Sequence, residues 1–431
     1  MDDTRNVEGR LVHELTSWLA GAATPHTFPF TAVLDTFHRT GKHFVAGEML
    51  ALLDEARRRL PGPRPTADDD RRSLLSDFLD VALDKWDGRY DYRSYLALRL
   101  LRMPCGTDEQ RPAVDDATGR RSRDRLLVRL IADALAFEMS AAERATDLLP
   151  QGRPPPAVVA KRCRLGIRAV TPALNRLGIA AVAGDGEPVS ATALRTVATD
   201  LDAAGDLRLR LSMLPVHVTH DEYLFIRVLQ AYECLFAGLA DELRAAALAL
   251  TGDAPCSAAE RLGHARELLG GASPIFSLLA TMQPESFRTF RQYTEGASAI
   301  QSRSYKLVES LCRAPGEDRL DSAAYRSVPE VRALVRSGQP TVDEAYRSAV
   351  RTGRLRGPDR DLVARAMDAF AEALLQWRRT HLRLAVRMLG SRPGTGYTEG
   401  TPYLAAVREL PVFTAVAPVP PPTDSTEGCP A

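Results

Sequence analysis

Apolar residues recur at helical spacing along most of this chain. Leu11, Leu15, Trp18 and Leu19 form a stripe of 3.6-residue period, which predicts a helix over 7–19. A second is predicted over 46–60, stopped by Pro61-Gly62-Pro63. Asp68, Asp69 and Asp70 put negative charge at the start of a third, running to about Trp86, where it complements the helix dipole. A short apolar run follows at 95–101, and the polar stretch 105–123 reads as a loop. A long helix is predicted over 124–149, ended by Pro150 and by Pro154-Pro155-Pro156. Residues 157–219 are harder to read: 180–186 suggests a turn, and Leu207, Leu209 and Leu211 alternate with polar residues like a strand. Downstream, long helices are expected over 221–250 and 359–389. Shorter ones are expected near 258–269, 285–293 and 298–311, with a polar break at 316–321. The proline-rich tail after Ala417 reads as disordered. The pattern predicts an all-α protein without internal repeats.

Composition changes this picture little. The 431 residues allow two or three domain-sized units, and 26% charged with 45% hydrophobic residues is ordinary for a globular chain. A formal net charge of +1 removes the usual electrostatic case for nucleic acid or an anionic membrane as main partner. No uninterrupted run approaches the roughly 18 apolar residues of a membrane span. The acidic start Met1-Asp2-Asp3 is unlike the basic head of a signal peptide. The six cysteines (Cys105, Cys163, Cys234, Cys256, Cys312 and Cys429) show neither a CxxC pair nor zinc spacing. Reduced thiols and a cytoplasmic location are therefore expected. Of the 56 basic residues only Lys42, Lys85, Lys161 and Lys306 are lysine, a bias that a high-GC genome explains most simply.

Candidate chemistry is sparse. His217 and His220 lie three apart, but no third ligand falls in useful register, and His220 before Asp221-Glu222 reads as a helix cap. His381 lies mid-helix in Trp377-Arg-Arg-Thr-His381-Leu-Arg-Leu-Ala-Val-Arg-Met-Leu-Gly390. A lone helical histidine is more often structural than a heme ligand. Gly390-Ser-Arg-Pro-Gly-Thr-Gly-Tyr-Thr-Glu-Gly400 follows it as a glycine-rich loop without the Lys-Ser/Thr ending of a phosphate loop. A loop placed so near an imidazole suits a lid over a small ligand.

Four ordered segments resemble the tryptophan 2,3-dioxygenase family. They are Tyr90-Asp-Tyr-Arg-Ser-Tyr-Leu-Ala-Leu98, Asp221-Glu-Tyr-Leu-Phe-Ile-Arg-Val-Leu-Gln-Ala-Tyr-Glu-Cys-Leu-Phe236, Phe287 to Ser302, and Trp377 to Gly400 with Tyr403-Leu404. The resemblance implies an all-α core holding a heme b whose iron is bound by His381, with Trp377 beside that ligand and Ser298 near the heme edge. It implies that Arg291 clamps the substrate carboxylate, for which a planar fork is suited. Thr395 would meet the substrate ammonium, and Phe225 and Phe287 would pack the indole. Tyr92 and Tyr95 would cross from a neighbouring subunit, making the protein a homo-oligomer, a dimer or tetramer. The implied partners are an aromatic amino acid and O2, with neither nucleic acid nor membrane. The implied reaction is oxidative cleavage of L-tryptophan to N-formylkynurenine.

The chain also departs from the family pattern. Leu229 stands where the family has a distal histidine facing the indole N–H; leucine cannot accept that bond. Tyr397 and Glu399 stand in the lid where the family has small residues, and Ala299 and Ile300 replace Gly and Phe. These changes allow a substituted tryptophan or tyrosine as substrate, or monooxygenation; a heme-binding or interaction protein without turnover is the third reading. The expected organisation is an N-terminal helical extension (1–87), a core made of 88–102 and 220–415, a mostly helical insertion (103–219) and a disordered tail (416–431).

Overall fold

In this computed structural model, residues 2–21, 23–60, 69–103, 116–179, 182–183, 187–188, 205–390 and 400–416 are described. Helices dominate. The N-terminal group comprises α1 (Asp2–Ala20), α2 (Phe30–Thr40), α3 (Gly47–Arg59) and α4 (Asp69–Ala82). Then come α5 (Asp116–Ala142), α6 (Pro156–Arg176), α7 (His220–Thr251), α8 (Pro255–Leu279) and α9 (Pro284–Phe290). The C-terminal part adds α10 (Arg303–Cys312), α11 (Val342–Arg351), α12 (Gly357–Leu389) and α13 (Thr401–Arg408), with single helical turns between. Among the described residues, strand pairing is limited to a two-residue ladder, Val182–Ala183 with Glu187–Pro188, and one bridge between Gln151 and Thr219. The protein is all-α, as expected.

Three apolar clusters organise the helices. The first, from α1 to α4, buries Leu11, Leu15, Phe37, Leu53, Phe78 and Leu79, and takes in Leu211 and Leu214 from far along the chain. The second joins α5, α6, α7, α8, α10, α11 and α12. So the helices of the 103–219 region share one core with those of the 220–415 region. A third, small cluster (Tyr92, Tyr95, Leu96, Met213, Val216, Ile226, Ala297) links the other two.

Several elements differ from the sequence expectation. Residues 207–211 are helical (Gly205–Leu211), not a strand. Leu209 faces the large core while Leu211 and Leu214 face the N-terminal one, so burial on two sides mimics alternation. Helix α5 starts at Asp116, inside the stretch read as a loop, and ends at Ala142, short of Leu149. Helix α8 runs through Gly270-Gly271 and Pro274 because Ala272, Ile275, Phe276 and Leu279 are buried beyond them; packing overrides propensity. Helices α2 and α6 had no clear signal. In α6, Gly166 packs close to α5, where a Cβ would lie 2.9 Å from Leu135 Cδ1. The reading of 180–186 falls largely outside the described residues, and the tail after Ala417 wholly so.

Buried charge ties the pieces together. Lys42 Nζ lies 2.7 Å from Asp84 Oδ2 and 2.6 Å from the Val81 carbonyl. Arg162, on α6 and fully buried, reaches Glu138 on α5 and Asp221 on α7 at 2.6 Å each. Arg162→Met would strand two buried carboxylates and is expected to cost about 3–5 kcal/mol, measurable as a lowered urea midpoint. An unchanged midpoint would mean that the triad adds no stability.

Helix α7 is apolar enough over one window to pass for a membrane span, but 83% of that window is buried inside the fold. It is the central core helix. Asp221 and Glu222 occupy its first turn, opposite in charge to the dipole's positive end.

Candidate functional site

Helices α7, α8, α9, α10, α12 and α13 enclose a cavity of about 230 Å³. Helix α7 contributes Phe225, Leu229, Tyr232 and Phe236, one aromatic or aliphatic group about every turn on one face. Helix α12 contributes Trp377, Arg378, His381, Leu384 and Met388. Trp377 and His381, four residues apart, sit on one stripe of that helix. Gly390 ends α12 at φ +62°, donating its N–H to the Val386 carbonyl, just past the cavity-lining Met388 and Leu389.

His381, Trp377, Ser298, Arg291, Phe225, Phe287, Leu229, Tyr92 and Tyr95 all line this one space. Sequence reasoning had drawn them from four separate segments. Thr395 and Tyr397, with Glu399, lie outside the described residues.

The cavity has two chemically distinct ends. Around His381 the walls are aromatic: its ring stacks on Phe276 (centroids 5.9 Å apart) and lies 5.2 Å from Trp377. Burial pushes its pKa down to about 4, so the imidazole is neutral near pH 7 and keeps a lone pair. Among the described residues no hydrogen bond engages the ring. Trp377 Nε1 is buried beside it with no hydrogen-bond partner among the described residues.

At the other end Phe225 packs against Phe287 and Phe290, with centroids 5.6 and 5.2 Å apart. Arg291 follows α9 directly, and its guanidinium carbon lies 5.8 Å from the Phe287 ring. Leu229, one turn beyond Phe225, presents methyl groups only. Tyr95 lies 6.5 Å from Phe225.

Tyr92 and Tyr95 reach the cavity of their own chain. Asp91 and Ser94 form a capping box that fixes the helical turn bearing them. Gln301 Oε1 accepts from the Tyr92 and Ser298 N–H groups, at 3.1 Å each. The phenol hydroxyls donate away from the cavity space, Tyr92 to Glu233 and Tyr95 to Glu222, both at 3.2 Å. Burial pushes Glu222 up to about 8, against the three donors that favour its charge. Within the single chain, these two side chains lie on this part of the wall.

The sequence reading missed the polar group beside Trp377: Lys306, Arg378, Tyr305 and Tyr403. A signal was present. Three of the four lysines are engaged inside the fold: Lys42 with Asp84, Lys85 with the Tyr293 carbonyl, and Lys306 with Glu309 and Tyr403. In a chain with only four lysines among 56 basic residues, three held inside the fold stand out.

His217 and His220 form no metal pair. His217 Nδ1 lies 2.7 Å from Thr219 Oγ1, and His220 stacks on Phe137 with Glu138 3.3 Å away. Nor does His220 cap α7: Thr219 is the cap residue, and His220 is already helical. No group of three or more metal-ligating side chains occurs among the described residues. A heme, which needs one imidazole from the protein, is a different demand.

No family model matches the chain. Curated relatives do. The tryptophan 2,3-dioxygenase of a Nocardioides species is 32% identical over 223 residues, covering 45% of this chain and 81% of the relative. Those of Paraburkholderia phytofirmans and Cupriavidus necator are each 28% identical, over 232 and 236 residues. They cover 46% of this chain and 76% and 79% of their own lengths.

Proposed function

This chain belongs to the tryptophan 2,3-dioxygenase family, and on that footing we propose that it is a heme-dependent oxygenase of an aromatic amino acid. The reaction proposed is cleavage of the L-tryptophan indole ring to N-formylkynurenine. The observation that carries the reading is the convergence on one apolar cavity of a neutral, unengaged imidazole, His381, and a guanidinium, Arg291.

The residues present fit a heme. His381 offers a lone pair, flat aromatic walls suit a porphyrin face, and the unpaired Trp377 N–H and nearby cations suit a ligand with acceptor groups. Held at His381, the heme iron would supply the chemistry that activates O2. Both oxygen atoms enter N-formylkynurenine, so the overall balance calls for no outside reductant.

The chain's own residues bind and orient. Arg291 grips the substrate carboxylate with two parallel hydrogen bonds, which fixes the amino-acid end. Phe225, Phe287 and Phe290 pack the ring and keep water out. Tyr92 and Tyr95 shape the wall, their hydroxyls engaged with the buried carboxyl groups of Glu233 and Glu222. The result is an oriented pair of reactants, which lowers the barrier by prepaying their loss of freedom.

Leu229 favours a second reading of the substrate. An indole N–H facing leucine loses its acceptor, at a cost of about 1–3 kcal/mol. A substituted tryptophan or a tyrosine escapes that cost. Leu229→His restores an acceptor and is expected to raise the preference for tryptophan over 1-methyltryptophan about tenfold in kcat/KM, equivalent to ~1.4 kcal/mol. An unchanged ratio would put the indole N–H elsewhere.

The deciding experiment incubates the heme-loaded protein with a panel of aromatic amino acids under labelled O2. Two labelled atoms in one product mean dioxygenation, and one means monooxygenation. A colourless protein without turnover overturns the reading.

A further inference from the structure

Beside the His381 end of the cavity lies a buried group of charges that the proposed reaction leaves unused. Lys306 on α10 and Arg378 on α12 line the cavity and are 2% and 6% exposed. Lys306 Nζ is 3.2 Å from Glu309 Oε2 and 3.0 Å from the Tyr403 hydroxyl. Arg319 grips Glu309 with two bonds, at 2.8 and 3.0 Å, and also reaches the Tyr403 hydroxyl. Arg378 donates from Nε to the Tyr305 hydroxyl (3.0 Å) and from Nη1 to the Leu410 carbonyl (2.7 Å). Its Nη2 has no partner among the described residues.

The charges do not balance. Among the described residues three cations face one carboxylate, and Arg319 already holds both oxygens of that carboxylate. Burial alone would raise the Glu309 carboxyl; Lys306 and Arg319 overcome it and hold it at about 2. Buried cations without counter-charge are costly, so a site of this kind is kept where an anion comes to it. The surplus is two positive charges, beside Trp377 and one helical turn from His381. Contact between Tyr305 and Trp377 (centroids 5.3 Å apart) joins the charged group to the His381 wall. Arg291 stands apart from it, in the Phe225–Phe287 group.

We propose that Lys306 and Arg378 form a seat for two carboxylates, those of the porphyrin's propionate arms, and that Arg291 alone serves the substrate carboxylate. This rests on the heme reading above. Tyr305 and Tyr403 orient the two cations, and the partnerless Trp377 N–H supplies one more donor on the same wall.

The test compares heme with heme dimethyl ester, whose esterified arms carry no charge, by Soret titration of the apo-protein. Each charge-assisted hydrogen bond that the ester cannot make costs about tenfold in affinity, so wild type is expected to prefer heme about 100-fold. Lys306→Met and Arg378→Met should each cut that ratio about tenfold, and Lys306→Arg should keep it. The His-ligated spectrum should stay unchanged in all three. A wild type that binds both porphyrins equally overturns the proposal while leaving the heme reading intact, and it decides the matter even if a variant fails to fold. Uptake of neither porphyrin overturns both. The preference for tryptophan over tryptamine must survive Lys306→Met; its loss would show that the seat grips substrate and would overturn the proposal.

Discussion

His381→Ala protein, expressed with heme supplied, is expected to purify without a Soret band and without oxygenase turnover. Even a partner that merely orients a metal ligand is worth about 10–100-fold in metal affinity. Removing the ligand itself exceeds that. The fold should survive, because alanine is the best helix former and His381 makes no hydrogen bond among the described residues. The substitution leaves a small space against Phe276 and Trp377. Free imidazole added at millimolar concentration is expected to fill it and restore the band, as apolar engineered cavities accept small ring molecules. Full heme content in the alanine variant would remove His381 from the iron and with it the central assignment.

The second large effect concerns Arg291. Losing a bidentate grip on a carboxylate in a water-poor cavity is worth about 3 kcal/mol, so Arg291→Ala should lower kcat/KM for tryptophan about 150-fold. Tryptamine lacks the carboxylate and should be used equally poorly by both proteins. Arg291→Lys should recover only part of the loss, since an ammonium cannot make the two parallel bonds. An equal loss for tryptamine would mean that Arg291 holds the wall rather than the substrate.

Much of this site is legible in the amino-acid sequence. His381, Arg291, Phe225 and Phe287 are each ordinary residues alone, and only the order of the four segments singled them out. The cavity brings them together because α7 and α12 each set their lining groups at helical intervals. What was not legible depends on three-dimensional neighbours. Nothing in the spacing of Lys306 says that Arg319 will already hold Glu309. The alternation of Leu207, Leu209 and Leu211 was real, but its cause was two cores, not a sheet. Helix α6 was hidden because its most telling residues, Gly166 and Pro172, look like breakers until the partner at Leu135 is known.

The turn bearing Tyr92 and Tyr95 has a consequence for how the site comes into being. Its neighbours in the chain, 69–103, are anchored by Lys42–Asp84 and by the N-terminal cluster, and its partners Glu222 and Glu233 lie on α7 of the same polypeptide. Closing the long intervening segment adds little entropy cost, about 0.6 kcal/mol per doubling of its length. With the wall built in one chain, its assembly is expected to be first order in protein: it should proceed alike at nanomolar and micromolar chain, and two chains damaged in different parts of the cavity should not repair each other by mixing.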